Sequence, residues 1–260
     1  MSNTDTYDPR RFLGDFKTDL WFPHYRQTVS GPWSVRLVGM IAAPGYWGTS
    51  YRISGAVVLT GPGEKGKASW MSTTPSEIES QQIGQAGAHG HTVVLGLGLG
   101  WQAANAALKP DVTHVTVVER DPAIIALIED QGVLAQLPPE AQGKIEIVTA
   151  DANFWKPAAP VDTLLADIWE KTDGDRRLED YQRMQANIGA GSVYFWGQEV
   201  QIWRAACRRV GSDAVLDWPL VRAIVAEDFR LPLIVPDWPD YPQKIMAAAK
   251  QALSLMALMR

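Results

Sequence analysis

The 260-residue chain has one cysteine, Cys207, so it can form no intrachain disulfide framework and offers no thiolate cluster to a metal. It has no densely basic stretch and carries a net charge of −5, which argues against a protein that wraps a phosphate backbone. No apolar stretch approaches the ~18 residues of a membrane span, and the opening MSNTDTYDPRRF lacks the apolar run of a signal peptide. A cytoplasmic protein with no nucleic-acid and no membrane partner is therefore expected. Repeats and low-complexity segments are missing too. What is there is the composition of a globular protein, 46% hydrophobic and 20% charged. A chain of this length can bury roughly 70% of the surface it exposes when unfolded, so its core needs no staples. Eleven tryptophans are spread along the whole chain, and scattered tryptophan is expected to serve core packing and subunit contact.

Residues 1–30 show no sustained period and read as a wrapping arm. Three strands are then predicted at 33–42, 51–61 and 67–71, with the turn chemistry of GPGEKGK between the last two. Thr74-Pro75-Ser76-Glu77 reads as a helix start with Thr74 as cap, Pro75 at the first position and Glu77 three residues on as the cap's partner. From His91 onward apolar strands alternate with helices: TVVLGL, VTHVTVVER, KIEIVTAD, VDTLLADIW and SVYFWGQE are the predicted strands. Strands with no polar face, separated by helices, predict a parallel sheet covered on both sides. The fold class expected is α/β, a Rossmann-like, mostly parallel sheet with a small N-terminal antiparallel β-region. The expected divisions are residues 1–72 for arm and β-region, 73–200 for the core and 201–260 for a helical extension.

Right-handed crossovers place the strand C-termini on one edge, where ligands bind. Gly96, Gly98 and Gly100 stand where the first parallel strand turns into a helix. Glycine there lets the main chain approach a ligand with no β-carbon between, beside the free N–H groups of a helix start. The next strand ends in Glu119, whose carboxylate can take both hydroxyls of a ribose. The two strands after that end in Asp151 and Asp167. Four such features in order, on one edge, exceed what capping requires.

The segments LGLGLG, VVERDP, VTADA, VDTLLADIWE and GSVYFWGQE resemble the class I S-adenosylmethionine-dependent methyltransferase fold, more narrowly its spermidine-synthase-like branch, over roughly residues 70–200. The resemblance implies S-adenosylmethionine as cofactor. The glycine loop would pass its methionine part, Glu119 would hold the ribose, Asp151 would bind the adenine amino group, and Arg120 and Ala152 would flank the ring. Aminopropyltransferases of that branch carry an aspartate between the last two glycines, and this chain has Leu99. Where they follow the fourth strand with two acidic residues and a proline, this chain has Asp167, Glu170 and Lys171; where their upstream helix has tyrosine, a polar residue and glutamate, it has Ser80, Gln81 and Gln82. Part of the negative charge that a dication needs is thereby lost, which disfavours aminopropyl transfer. Many methyltransferases also place an acidic residue two positions before the first glycine, where this chain has Val94.

Asp167 and Glu170 are the candidate catalytic residues, Asp167 either as base for an amine or hydroxyl acceptor or as a carboxylate that orients the cofactor without titrating. The acidic run at 167–175 leads into Arg176 and Arg177 and reads as a charge-balanced loop, so no metal is expected. His89 and His91 have no cysteine or carboxylate cluster near them and read as connector residues, while Gln198 and Glu199 face the same edge in a substrate-side or supporting role. In the tail only LPLIV offers a strand, bracketed by Pro232 and Pro236, and the apolar terminal helix covers a sheet edge or packs on a second subunit, giving a possible homodimer. Three functions stay open: methyl transfer to a small-molecule acceptor, aminopropyl transfer, and a non-catalytic relative that binds a nucleoside or acts as a scaffold.

Overall fold

The computed structural model describes residues 15–170 and 176–258. Thr28–Ser30 (β1), Trp33–Val38 (β2), Ala56–Gly63 (β5) and Gly66–Ser72 (β6) form a four-stranded antiparallel sheet in the order β1-β2-β5-β6. Ile41–Pro44 (β3) and Ser50–Ile53 (β4) form a separate pair. The two long strands expected at 33–42 and 51–61 are thus each broken, yet their register is unbroken: Val38 faces Ala56 in one sheet and Ile41 faces Ile53 in the other. The two pairs are one hairpin, bent where Gly55, at φ 74°, donates its N–H to the Val38 carbonyl at 2.8 Å. The expected turn between β5 and β6 is confirmed, with Gly63 paired to Gly66 across Glu64 and Lys65.

The helix Pro75–Gly87 (α1) starts where expected, with proline in its first turn, but Thr74 makes no side-chain cap. Its hydroxyl bonds Ser72 Oγ at 2.8 Å instead, which leaves Glu77 without the capping partner the sequence suggested. The core then alternates: Gly90–Leu95 (β7), Trp101–Leu108 (α2), Val112–Glu119 (β8), Pro122–Asp130 (α3), Pro139–Gln142 (α4), Ile145–Thr149 (β9), Thr163–Ala166 (β10), Arg177–Ile188 (α5) and Ser192–Phe195 (β11). These five strands make an all-parallel sheet in the order β11-β10-β7-β8-β9. The chain's direction across the sheet reverses between β7 and β10, so a crevice opens beyond their C-termini. The central strands β7 and β10 are buried on both faces, as their continuous apolar runs predict.

The arm does wrap: Trp21 exchanges two 2.8 Å hydrogen bonds with the Asn105 side chain on α2, and Tyr25 donates to the Leu99 carbonyl at 2.7 Å. Residues 1–14 of that arm, like Lys171 to Asp175 of the acidic loop, lie outside the described residues. Beyond β11 come Gln198–Val210 (α6), Trp218–Ala223 (α7) running into a π-helical turn at Ile224–Phe229, and Tyr241–Leu258 (α8). Among the described residues the sheet gains no sixth strand. Leu233 makes a single parallel bridge to Val193, because the prolines at 232 and 236 remove donors on either side. On α8, Tyr241, Ile245, Ala248 and Ala249 turn one buried stripe inward against the molecule. No helix among the described residues is long and apolar enough to cross a membrane.

Candidate functional site

The crevice is built first by backbone conformation. Gly96, Gly98 and Gly100 have φ of 91°, 52° and 79°, a region that side-chain-bearing residues rarely adopt. A Cβ on Gly96 would lie 2.5 Å from the Asp167 carbonyl oxygen, and one on Gly98 would run into Met71 Sδ. Between the glycines, Leu97 and Leu99 are fully buried. Gly96 and Gly98 thus present main chain to the crevice, while the leucines between the glycines turn into the core. Leu99 belongs to the core side, and so does Val94, buried between β8 and β10.

Glu119, at the end of β8, is held by the backbone on both oxygens. Its Oε2 accepts the Leu97 N–H at 2.9 Å and its Oε1 the Asp121 N–H at 2.8 Å. Each carboxylate oxygen has a second lone pair, so two further donors can still be taken. Asp121 caps α3 by accepting the Ala123 N–H at 2.9 Å, and its other oxygen accepts Trp33 Nε1 at 2.8 Å. Beyond β9, Asp151 Oδ1 accepts both the backbone N–H and the side-chain amide of Asn153 at 2.9 Å. Those bonds, with the charges of Arg120 and Arg183 behind them, hold its carboxyl below the usual range, so it stays an anion.

Asp167 closes the group from the end of β10. Its Oδ2 accepts Gln81 Nε2 at 2.8 Å, and Gln81 is itself fixed by a 2.7 Å bond from Gln102. Burial pushes the Asp167 carboxyl up to about 7, against the lowering pull of Arg177 and Gln81. Glu77, one turn before Gln81 on α1, is pushed well above the carboxylate range by burial and by the Asp167 charge. Its Oε1 is buried with no hydrogen-bond partner. Two carboxyl groups therefore compete for protons beside the crevice.

One cleft of about 210 Å³ gathers these parts. Gly96, Gly98, Glu119, Arg120, Asp151, Ala152, Asn153 and Asp167 line it from the sheet, and Trp33, Leu59, Pro62, Trp70 and Met71 from the N-terminal sheet, which forms its roof. Of the expected cofactor residues only Gly100 is not in the lining; it packs toward Ile128 and Val133 and opens α2. Two expected placements need correction. Glu170 does not line the cleft, because its carboxylate accepts the Glu64 N–H at 3.0 Å and ties the β5–β6 turn down. Gln198 and Glu199 are fully buried and do not line the cleft, which leaves the supporting role: Glu199 accepts the hydroxyls of Tyr46 and Tyr241 at 2.9 Å, with the Tyr194 oxygen 3.3 Å away. Trp33 and Trp70 pack as expected, edge to face with ring centroids 6.0 Å apart and against the core, and they also wall the cleft.

The residues missed by sequence reasoning are the roof, Asp121 and Glu77. Asp121-Pro122 carried a cap signal that could have placed Asp121 at the edge. His91, expected as a connector, spans strands: its ring meets Thr116 Oγ1 at 2.9 Å and the Pro160 carbonyl at 2.8 Å. Among the described residues no group of three His, Cys, Asp or Glu side chains is placed to hold a metal ion.

No protein-family model matches the chain, and no curated protein does. Solved structures similar to part of it include a DhpI–SAM–HEP complex at 19% identity, covering 46% of this chain and 55% of that one with a TM-score of 0.35. A glycopeptide N-methyltransferase, MtfA, with S-adenosyl-L-homocysteine matches at 16% identity, 44% and 45% coverage and a TM-score of 0.34. A precorrin 8w decarboxylase from Methanobacterium thermoautotrophicum matches at 17% identity, 42% and 53% coverage and a TM-score of 0.30. The matched region spans about half the length of those structures.

Proposed function

We propose that the chain is an S-adenosylmethionine-dependent methyltransferase acting on a small-molecule amine or hydroxyl acceptor. The observation that carries this reading is the convergence, at the reversal point of the parallel sheet, of a bare glycine loop, Glu119 and Asp151 on one cleft with Asp167 beside it. The residues fit the nucleoside part of such a cofactor. Glu119 keeps lone pairs for two ribose hydroxyls, Asp151 stays anionic toward an amino group, and Arg120 and Ala152 line the cleft where a flat ring would lie. They fit its ammonium less well, since Val94 is buried core and main-chain carbonyls of the loop or Asp167 would have to serve. When bound, S-adenosylmethionine supplies an electrophilic methyl group on sulfur. The chain's own part is to position and to move a proton: Gln81 fixes one Asp167 oxygen, and a carboxyl near 7 takes a proton from an acceptor at neutral pH.

A second reading, a nucleoside-binding protein without catalysis, is favoured by the cleft's size. At about 210 Å³ it falls below the roughly 300–1,000 Å³ usual for small-molecule sites. Calorimetric titration with S-adenosylmethionine, S-adenosylhomocysteine and adenosine separates the two. The proposal expects heat with all three, and loss of roughly 1–3 kcal/mol of binding in Glu119→Ala as its charged hydrogen bonds go. No heat and no thermal shift at millimolar ligand would remove both readings; binding of adenosine alone would leave the second.

A further inference from the structure

We infer that Met71 determines how much of a ligand the cleft admits, an inference that rests on the nucleoside site proposed above. Met71 stands near the end of β6 in the roof, and its side chain reaches down onto the glycine loop. Its Sδ accepts the Leu99 N–H at 3.1 Å, and the same atom blocks the space a Cβ on Gly98 would need. The Leu97 N–H is accepted by Glu119. Both leucine amides of the loop therefore already have partners within the protein, but the two partners differ. The Glu119 carboxylate keeps lone pairs for a ligand, whereas the Met71 thioether occupies the volume itself.

The cleft runs from Asp167, Gly96 and Gly98, with Met71 against its Gly98 stretch, to an end lined by Glu119, Arg120, Asp151 and Ala152. A bare nucleoside sits at that end with Met71 in place. A ligand with an aminoacyl arm on its 5′ side has to lay the arm along the glycine loop, and so has to push the thioether off it. Methionine is unbranched, with three rotatable bonds, so the side chain swings away without moving β6. Arm-bearing ligands bind only the fraction of molecules with Met71 displaced, and their apparent affinity falls by that fraction. Nucleosides escape the penalty. The thioether thus discriminates between two halves of one ligand.

The test is calorimetric titration of the full chain, as wild type, Met71→Ala and Met71→Leu, with S-adenosylhomocysteine and with adenosine, each variant's fold checked by circular dichroism. Met71→Ala should tighten S-adenosylhomocysteine binding by ~10-fold or more and change adenosine binding by less than ~3-fold, while Met71→Leu, which keeps the bulk but is branched and swings aside less readily, should bind S-adenosylhomocysteine no more tightly than wild type. In wild type the Met71 ε-methyl resonance, observed by ¹³C labelling, should shift with S-adenosylhomocysteine and stay put with adenosine. This readout needs no variant and decides the matter if Met71→Ala fails to fold. Equal S-adenosylhomocysteine affinity in wild type and Met71→Ala, or equal tightening of both ligands, would overturn the role of Met71 and leave the nucleoside site standing. No binding of either ligand by any folded form would remove the site and this inference together.

Discussion

The Asp167 carboxyl has its proton held by burial and pulled off by its neighbours, and burial wins, placing it at about 7. Arg177 from α5 and the Gln81 amide from α1 favour the anion, while Glu77, also on α1, competes as a second carboxyl. In the unfolded chain an aspartate titrates near ~3.9. Between those two values the folded protein holds a proton that the unfolded chain has released, so this group's contribution to stability is full below ~4 and is lost as pH rises through about 7. Glu77 works in the same direction. Asp167→Asn is therefore expected to flatten the pH dependence of Tm between roughly 4 and 7 and to be at least as stable as wild type at pH 8. Thermal melts at several pH values check this; a wild-type Tm that climbs with pH relative to Asp167→Asn would show that the carboxyl is not held protonated. If Asp167 is also the base, transfer should speed up as pH passes through about 7, because the anion accepts the proton.

At the scale of the element, the glycine loop makes a graded demand that a change to alanine can measure. All three glycines have positive φ, which costs a side-chain-bearing residue roughly 1–2 kcal/mol. At Gly98 the obstructing atom is the far end of a flexible methionine, but at Gly96 it is the backbone carbonyl of Asp167, which cannot step aside. Gly96→Ala should thus cost about 3 kcal/mol or more and Gly98→Ala about 1–2 kcal/mol, read from urea midpoints. The reverse order would mean that β7 and β10 pack more loosely at their C-terminal ends than this contact requires. The same contrast explains what could be read in the chain. The sheet and the edge residues Gly96, Glu119, Asp151 and Asp167 were legible, because strands buried on both faces are continuous apolar runs and the residues that terminate those runs all land on one edge. The roof was not. Trp33, Leu59, Trp70 and Met71 lie on strands that look like any half-buried hairpin, and only the folding of that hairpin over the sheet makes them a wall. Glu77 was hidden for a local reason: at the third position of a helix it reads as a capping partner, until Thr74 turns its hydroxyl to Ser72.

Across the whole molecule, three parts of the chain that are far apart in sequence meet at one buried carboxylate. Tyr46 comes from the loop between β3 and β4 and Tyr241 from the start of α8, and both donate to Glu199 at the start of α6, while the Tyr194 hydroxyl from β11 stands 3.3 Å from the same carboxylate. Burial raises the Glu199 carboxyl above its ordinary range, against the lowering pull of its own backbone N–H and of the tyrosine hydroxyls, so the group depends on its partners as they depend on it. Tyr194 gives its one hydroxyl proton to the Ser80 carbonyl on α1, which joins the network to the helix that supports Asp167. Removing the carboxylate strands the buried hydroxyls of Tyr46 and Tyr241 at once. Glu199→Ala should therefore cost about 3–5 kcal/mol in chemical denaturation, and Glu199→Gln, which keeps the shape and one acceptor, about 1–3 kcal/mol. Because Glu199 does not line the cleft, folded Glu199→Gln should bind adenosine and S-adenosylhomocysteine within ~2-fold of wild type, a difference of less than about 0.5 kcal/mol. Stability and binding come apart at this position only if the tail is a clamp on the fold. A variant that folds normally yet loses the ligand would instead place Glu199 within the site.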